Sequence, residues 1–198
     1  MFLEYYIKPF LDVSINKGFS CYYIDFFSGC GANCVGCGDK KSVGSPIISL
    51  IKGIYFNKRK QQHSRFNKWF FIDSNKQYCD ALSDRVAKVS QHIYDNTTQN
   101  DGVSVSLTLD EDISIINKDC NKAIVDIVTE INNCEKKISV LAFIDPFNYK
   151  NIIWQTWIEL LKLKYVDIIF TMPISAMKRG LDQDKNCKKY LLIIKDRP

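Results

Sequence analysis

The chain has 198 residues, 46% of them hydrophobic and 25% charged, with a net charge of +5. No apolar run reaches the ~18 residues that a membrane-spanning helix needs, and the opening MFLEYYIKPFLDV carries neither a basic leader nor a small-residue cleavage site. The sequence therefore predicts no membrane-spanning helix and a cytoplasmic protein with one substantial core over residues 1–198.

In chain order, apolar residues at 2, 3, 6, 7, 10, 11 and 15 predict a helix over 2–17, with Pro9 as a kink or boundary. Residues 20–27 read as a first strand. The Gly- and Cys-rich stretch that follows leads to Gly44-Ser45-Pro46, a helix start with Ser45 as cap and Pro46 in the first turn. A helix over 45–53, a polar basic connector over 58–67 and a short apolar strand over 68–73 come next. A helical pattern over 74–94 ends in a turn-rich break at 96–102, and residues 103–109 alternate like an edge strand. Strands over 113–117, 139–145, 166–171 and 190–195 alternate with helices over 121–133 and 152–164. Strands alternating with helices predict an α/β fold, a mostly parallel Rossmann-like sheet with helices on both faces, in one domain with an amino-terminal helix (1–19) and a core (20–198).

Chemistry concentrates where strands end. After the first strand, Ser28-Gly29-Cys30-Gly31 lets the backbone turn sharply and approach a ligand closely. Strand, glycine turn, helix is how doubly wound folds build a nucleotide site, although tight turns also need glycine for backbone reasons alone. Asp73 closes the second strand, Asp119 follows the third and Asp145 closes the fourth. In an open parallel sheet these ends face the ligand, and an acid after the second strand suits the paired hydroxyls of a ribose. An Asp there can equally start a turn or cap the next helix. In Asp145-Pro146-Phe147 the proline holds the acid in an extended conformation, and the aromatic beside it can stack on a planar substrate.

Four segments carry a resemblance to a family: Tyr23-Ile-Asp-Phe-Phe-Ser-Gly-Cys-Gly31, Gly44-Ser-Pro-Ile-Ile-Ser-Leu50, Phe143-Ile-Asp-Pro-Phe147 and Val166-Asp-Ile-Ile-Phe-Thr-Met-Pro173. In order and spacing they resemble the three-Cys-motif partner proteins, which are similar to class I S-adenosylmethionine-dependent methyltransferases. The match covers about residues 20–180. The resemblance implies a methyltransferase fold that binds S-adenosylmethionine. Asp25, Phe27, Gly29 and Gly31 would shape the cofactor pocket, Asp73 would take the ribose, and Asp119 would lie near the adenine. Asp145, with Pro146 and Phe147, would sit beside the methyl donor and accept a hydrogen bond from a substrate amine. It also implies a protein partner, the one that bears the three-Cys motif. Two departures stand out: Phe147 follows Pro146 directly, without the second proline of the (D/N)PP(Y/F) signature, and Cys30 stands where the family often has proline. The sequence ends soon after an apolar strand, with no evident closing hairpin or target-recognition insert. This points to a compact or truncated enzyme, or to a methyltransferase-like module that works with a second chain.

Two other features compete. Cys30, Cys34 and Cys37 have the spacing that holds an iron-sulfur cluster, or three of the four ligands of a zinc site; the alternative is free thiols. The remaining cysteines, at 21, 79, 120, 134 and 187, are scattered and read as buried thiols. Between Lys52 and Lys68 there is no acid, and Lys58, Arg59, Lys60 and Arg65 are interleaved with aromatics. That suits a nucleic-acid surface or a solvated connector.

Overall fold

A computed structural model describes residues 2–34, 41–58 and 61–171. Along it run α1 (Phe2–Asn16), β1 (Ser20–Asp25), β2 (Ala32–Cys34), β3 (Lys41–Val43), α2 (Ser45–Lys52), β4 (Ile54–Asn57), β5 (Gln62–Arg65) and β6 (Lys68–Asp73). Then come α3 (Lys76–Asp101), β7 (Ile113–Asn117), α4 (Cys120–Asn132), β8 (Ile138–Ile144), a 3-10 turn (Tyr149–Asn151), α5 (Trp154–Leu160) and β9 (Val166–Phe170). Five strands form one parallel sheet in the order β7-β6-β1-β8-β9. This is the expected Rossmann-like α/β architecture. The strand predicted over 190–195 and Cys187 lie outside the described residues.

The sheet is apolar on both faces, as a parallel sheet covered by helices must be. Successive side chains point to opposite faces. Tyr23, Trp69, Phe71, Leu141 and Phe143 join Leu3, Ile7, Leu50 and Leu82 from α1, α2 and α3 in one core. Ile24, Phe70, Ile72, Val140, Ala142 and Ile144 join Ile124, Ile127 and Leu160 from α4 and α5 in the other. All seven residues of β8 are buried. At about 1.5–3 kcal/mol for each large apolar side chain removed from water, these two layers dominate the stability and fix the register.

Five expectations are corrected. Helix α1 runs through Pro9 without a break. Pro9 and Tyr5, whose carbonyl the proline leaves without its usual partner, are both exposed, so the gap faces solvent. The expected connector at 58–67 instead contains β5, the second strand of an antiparallel hairpin with β4, pairing Ile54 with Arg65 and Asn57 with Gln62. Helix α3 continues through the expected break at 96–102, because Thr97 is buried and its hydroxyl bonds to the Ile93 carbonyl at 2.9 Å. The same hydroxyl accepts the Val105 N–H at 2.9 Å. Residues 103–108 therefore run extended against the core, with Val105 and Leu107 buried, and form no edge strand. Helix α5 is also shorter than the pattern over 152–164 suggested.

Between β1 and α2 the chain inserts the small antiparallel pair β2–β3. Its two ends meet where Gly44 N–H bonds to the Gly31 carbonyl at 3.0 Å. Gly31 has φ +75, and a Cβ on it would lie 2.8 Å from Leu82 Cδ1 and 3.1 Å from Ile47 Cγ1. Here a left-handed conformation and a lack of room both require glycine. We expect Gly31→Ala to lower stability by about 2–5 kcal/mol, from about 1–2 of left-handed strain plus about 1–3 of overpacking. Gly102→Ala has a similar φ (+68) but open space around it, so it should lose the strain component only, about 1–2 kcal/mol. Denaturant midpoints of the two variants make the comparison, and equal losses would refute the close packing at Gly31.

Candidate functional site

β1 has β6 on one side and β8 on the other, so the chain reverses its direction of travel across the sheet between them. Ligands of open α/β sheets bind outside the carboxyl ends of the strands at that reversal. Asp25 ends β1, Asp73 ends β6 and Asp145 follows the last residue of β8.

The glycine turn is tied to the sheet by hydrogen bonds. The Ser28 N–H and hydroxyl both donate to the Ile72 carbonyl, at 3.0 and 3.1 Å. Gly29 N–H donates to Asp73 Oδ2 at 2.9 Å, and Asn75 N–H donates to Asp73 Oδ1 at 2.8 Å. The Asp73 carbonyl accepts from Lys118 N–H and from Asn117 Nδ2, each at 3.1 Å. One residue thus joins the loops after β1, β6 and β7. Gly29 has φ +56 and nothing within 4 Å of where a Cβ would stand, so its backbone borders open space, as close approach of a ligand requires. On the far side of the turn, Arg85 of α3 donates to the Cys30 carbonyl.

Asp25 is fully buried. Its carboxylate accepts from Phe27 N–H and from the Tyr23 hydroxyl, both at 3.3 Å, and from the Ser45 side chain. Burial nevertheless pushes its pKa up to about 7, with a smaller contribution from the nearby charge of Asp145. Tyr23 lies two residues before Asp25 on the same face of β1, a relation that strand periodicity already contains. Ser45 is a correction. The cap of α2 is Gly44, which makes no side-chain cap bond, and the Ser45 side chain turns to the buried carboxyl instead. Pro46 does occupy the first turn.

Asp145 follows β8 at the same carboxyl edge and is exposed. Partial desolvation raises its carboxyl above the usual range, opposed by a hydrogen bond from Thr171. Pro146 is buried, whereas Phe147 is 91% exposed. Asn121 at the start of α4 fastens the segment that follows: it donates to the Asn151 carbonyl at 3.0 Å and accepts from Ile153 N–H at 3.2 Å and the Thr156 hydroxyl at 2.6 Å. Asp119 caps α4, accepting from Asn121 N–H at 3.0 Å. It is exposed, so the cap does not bar it from a ligand.

Cys30 donates to the Ala32 carbonyl at 3.3 Å. The Cys34 side chain and all of Cys37 lie outside the described residues, and among the described residues no cluster of three His, Cys, Asp or Glu side chains could hold a metal. Of the basic candidates, Arg65 forms an ion pair with Asp112 at 3.2 Å and Lys58 is exposed at the hairpin turn. Arg59 and Lys60 lie outside the described residues. No helix among the described residues is long and apolar enough to cross a membrane.

No protein-family model matches the chain, and no curated protein matches it. A solved structure titled a conserved hypothetical protein from Streptococcus pyogenes is similar over 75% of this chain and 62% of that one, at 13% identity and a TM-score of 0.39. The chain therefore spans less than two thirds of that protein's length.

The buried carboxyl has a thermodynamic signature. In the unfolded chain Asp25 loses its proton near the ordinary value of 3.8, while in the folded protein it holds it up to about 7. Within that window the native state binds more protons, so stability falls as pH rises from about 4 and levels off above about 7. At about 1.4 kcal/mol per pH unit the full loss is on the order of 4 kcal/mol. Asp25→Asn removes this dependence. The stability difference between wild type and variant should shift by that order between pH 4 and 8, measured by denaturant unfolding, and a difference that stays constant would mean an ordinary carboxylate.

Proposed function

We propose that the chain is an S-adenosylmethionine-dependent methyltransferase of the three-Cys-motif partner type, directed at an amine of a nucleic acid or a protein. The observation that carries this reading is that the glycine turn, Asp73 and Asp145 stand at the carboxyl ends of three adjacent strands, where the strand order reverses. The glycine turn and Asp145 come from two of the four segments on which the resemblance rests, and Asp73 from a strand between them.

The residues suit that cofactor, which supplies an electrophilic methyl group on a sulfonium. Each oxygen of Asp73 accepts one backbone N–H and keeps a further lone-pair direction for a ribose hydroxyl. Gly29 offers uncovered backbone beside it. Asp25 and Ser45 supply a buried polar wall. At the rim, Asp145 is a carboxyl whose raised pKa strengthens it as a proton acceptor near neutrality. In this reading it accepts a hydrogen bond from the acceptor amine and holds the nitrogen lone pair toward the methyl group, so positioning does much of the work. The ring of Phe147 offers an open face for a planar acceptor to cover.

A second reading, a methyltransferase-like module without turnover that pairs with a three-Cys-motif protein, draws on the same rim. Phe147 at 91% and Trp154 at 77% exposure leave large apolar surface uncovered there, as a partner-binding face does.

Calorimetric titration of S-adenosylmethionine and S-adenosylhomocysteine tests the proposal. Wild type should bind both in the micromolar range, and Asp73→Ala, checked for folding by circular dichroism, should lose at least tenfold. Folded wild type that binds neither would overturn the methyltransferase reading and leave the partner module. Binding without methyl transfer to amines of nucleic acid or protein would favour the module.

A further inference from the structure

We propose that the amino end of the sheet, opposite the candidate site, is a binding groove for single-stranded nucleic acid. The sequence sets it up. Lys17 precedes β1, Lys136 and Lys137 precede β8, and Lys164 precedes β9. Because β1, β8 and β9 are parallel neighbours, these four lysines come to one edge of the molecule.

There they line two adjoining concavities. One, of about 190 Å³, has Lys136, Lys137, Lys164, Cys134 and Tyr165 in its wall. The other, of about 410 Å³, has Lys17, Phe19, Lys164 and Tyr165. Lys164 and Tyr165 belong to both and divide them. All four lysines are exposed, and among the described residues none of their side chains has an ion pair; Lys164 lies 5.3 Å from the Tyr165 ring centre. By contrast Lys8, Lys52, Lys68, Lys76, Lys118 and Lys162 each hold a carboxylate. The acids near the groove do not neutralise it. Asp167, which accepts from the Tyr6 hydroxyl at 2.9 Å, and Glu135 are two negative charges beside four positive ones.

Unpaired lysines around an aromatic partition match a strand that alternates phosphates with stackable bases. A bilayer surface would need a flat or convex cationic face, and this one is concave. The groove shares no residue with the candidate site at the carboxyl end, so the proposal stands independently of the methyltransferase reading.

Fluorescence anisotropy with labelled oligo-dT and oligo-U of about 12 nucleotides tests it on the whole chain. Four lysine–phosphate contacts on a single strand give a slope of log affinity against log salt of about −2.8, hence roughly a 50-fold loss between about 50 and 200 mM salt. The Lys137→Ala/Lys164→Ala variant should flatten the slope to about −1.4, a loss of about sevenfold over the same range. Lys76→Ala, an exposed lysine paired with Asp80 at the opposite edge, should leave it unchanged. No salt-dependent binding would overturn the proposal. So would an unchanged slope in the double variant, or binding confined to phosphatidylserine vesicles.

Discussion

Asp73 holds the carboxyl edge of this fold together. Its carboxylate takes a backbone N–H from the glycine turn and another from the approach to α3, and its carbonyl takes two donors from the end of β7. Charge-assisted bonds of this kind are among the stronger ones a surface loop can make. Without them the left-handed Gly29 would have little to hold it against the sheet. The same four bonds leave the outward lone pairs of the carboxylate unspent. A residue that organises the loops and one that receives a ligand are therefore compatible assignments for Asp73.

The central sheet was legible because its signal is strong. Apolar runs such as SVLAFID and KWFFID can be little else in a chain whose helical stretches show a clear stripe, and burial on both faces then dictates a parallel arrangement. The acids at strand ends were legible for the same reason. What escaped depended on partners distant in sequence. Ser45 has the composition of a cap, but a buried carboxyl some twenty residues earlier competes for its hydroxyl and wins, because an uncompensated buried acid costs more than an uncapped helix end. Thr97 and its neighbours look like turn residues, and only the burial of Thr97 against the core turns that hydroxyl into a brace for both α3 and the segment after it. The β4–β5 hairpin was hidden by its charge. Arg65 reads as a free cation until Asp112, far along the chain, is brought beside it.

Two carboxyls at one sheet edge are differentiated by their surroundings. Asp25 is enclosed, with Tyr23, Ser45 and the Phe27 amide around it. Asp145 lies at the rim with Thr171 as its partner. Each charge disfavours the other, and the fold puts the larger desolvation on Asp25. The outer group is thus the more readily ionised of the two and the one that an incoming substrate meets. The inner one serves better as a polar wall that changes charge near neutrality.

The two ends of the sheet differ in charge by construction. Lysines stand before β1, β8 and β9 and at the start of β6, and aspartates stand at or just after the ends of β1, β6 and β8. In an antiparallel sheet such a pattern would mix the signs at each edge. In a parallel sheet it adds them, giving an acidic carboxyl edge and a basic amino edge. At β6 the basic member is used internally, since Lys68 pairs with Glu130 of α4. At β1, β8 and β9 it is not, and the imbalance accumulates where three adjacent strands begin. An uncompensated cationic edge repels itself and adds nothing to folding. Among the described residues none of its lysines has an ion pair, and an anionic strand outside the protein would supply the missing charge.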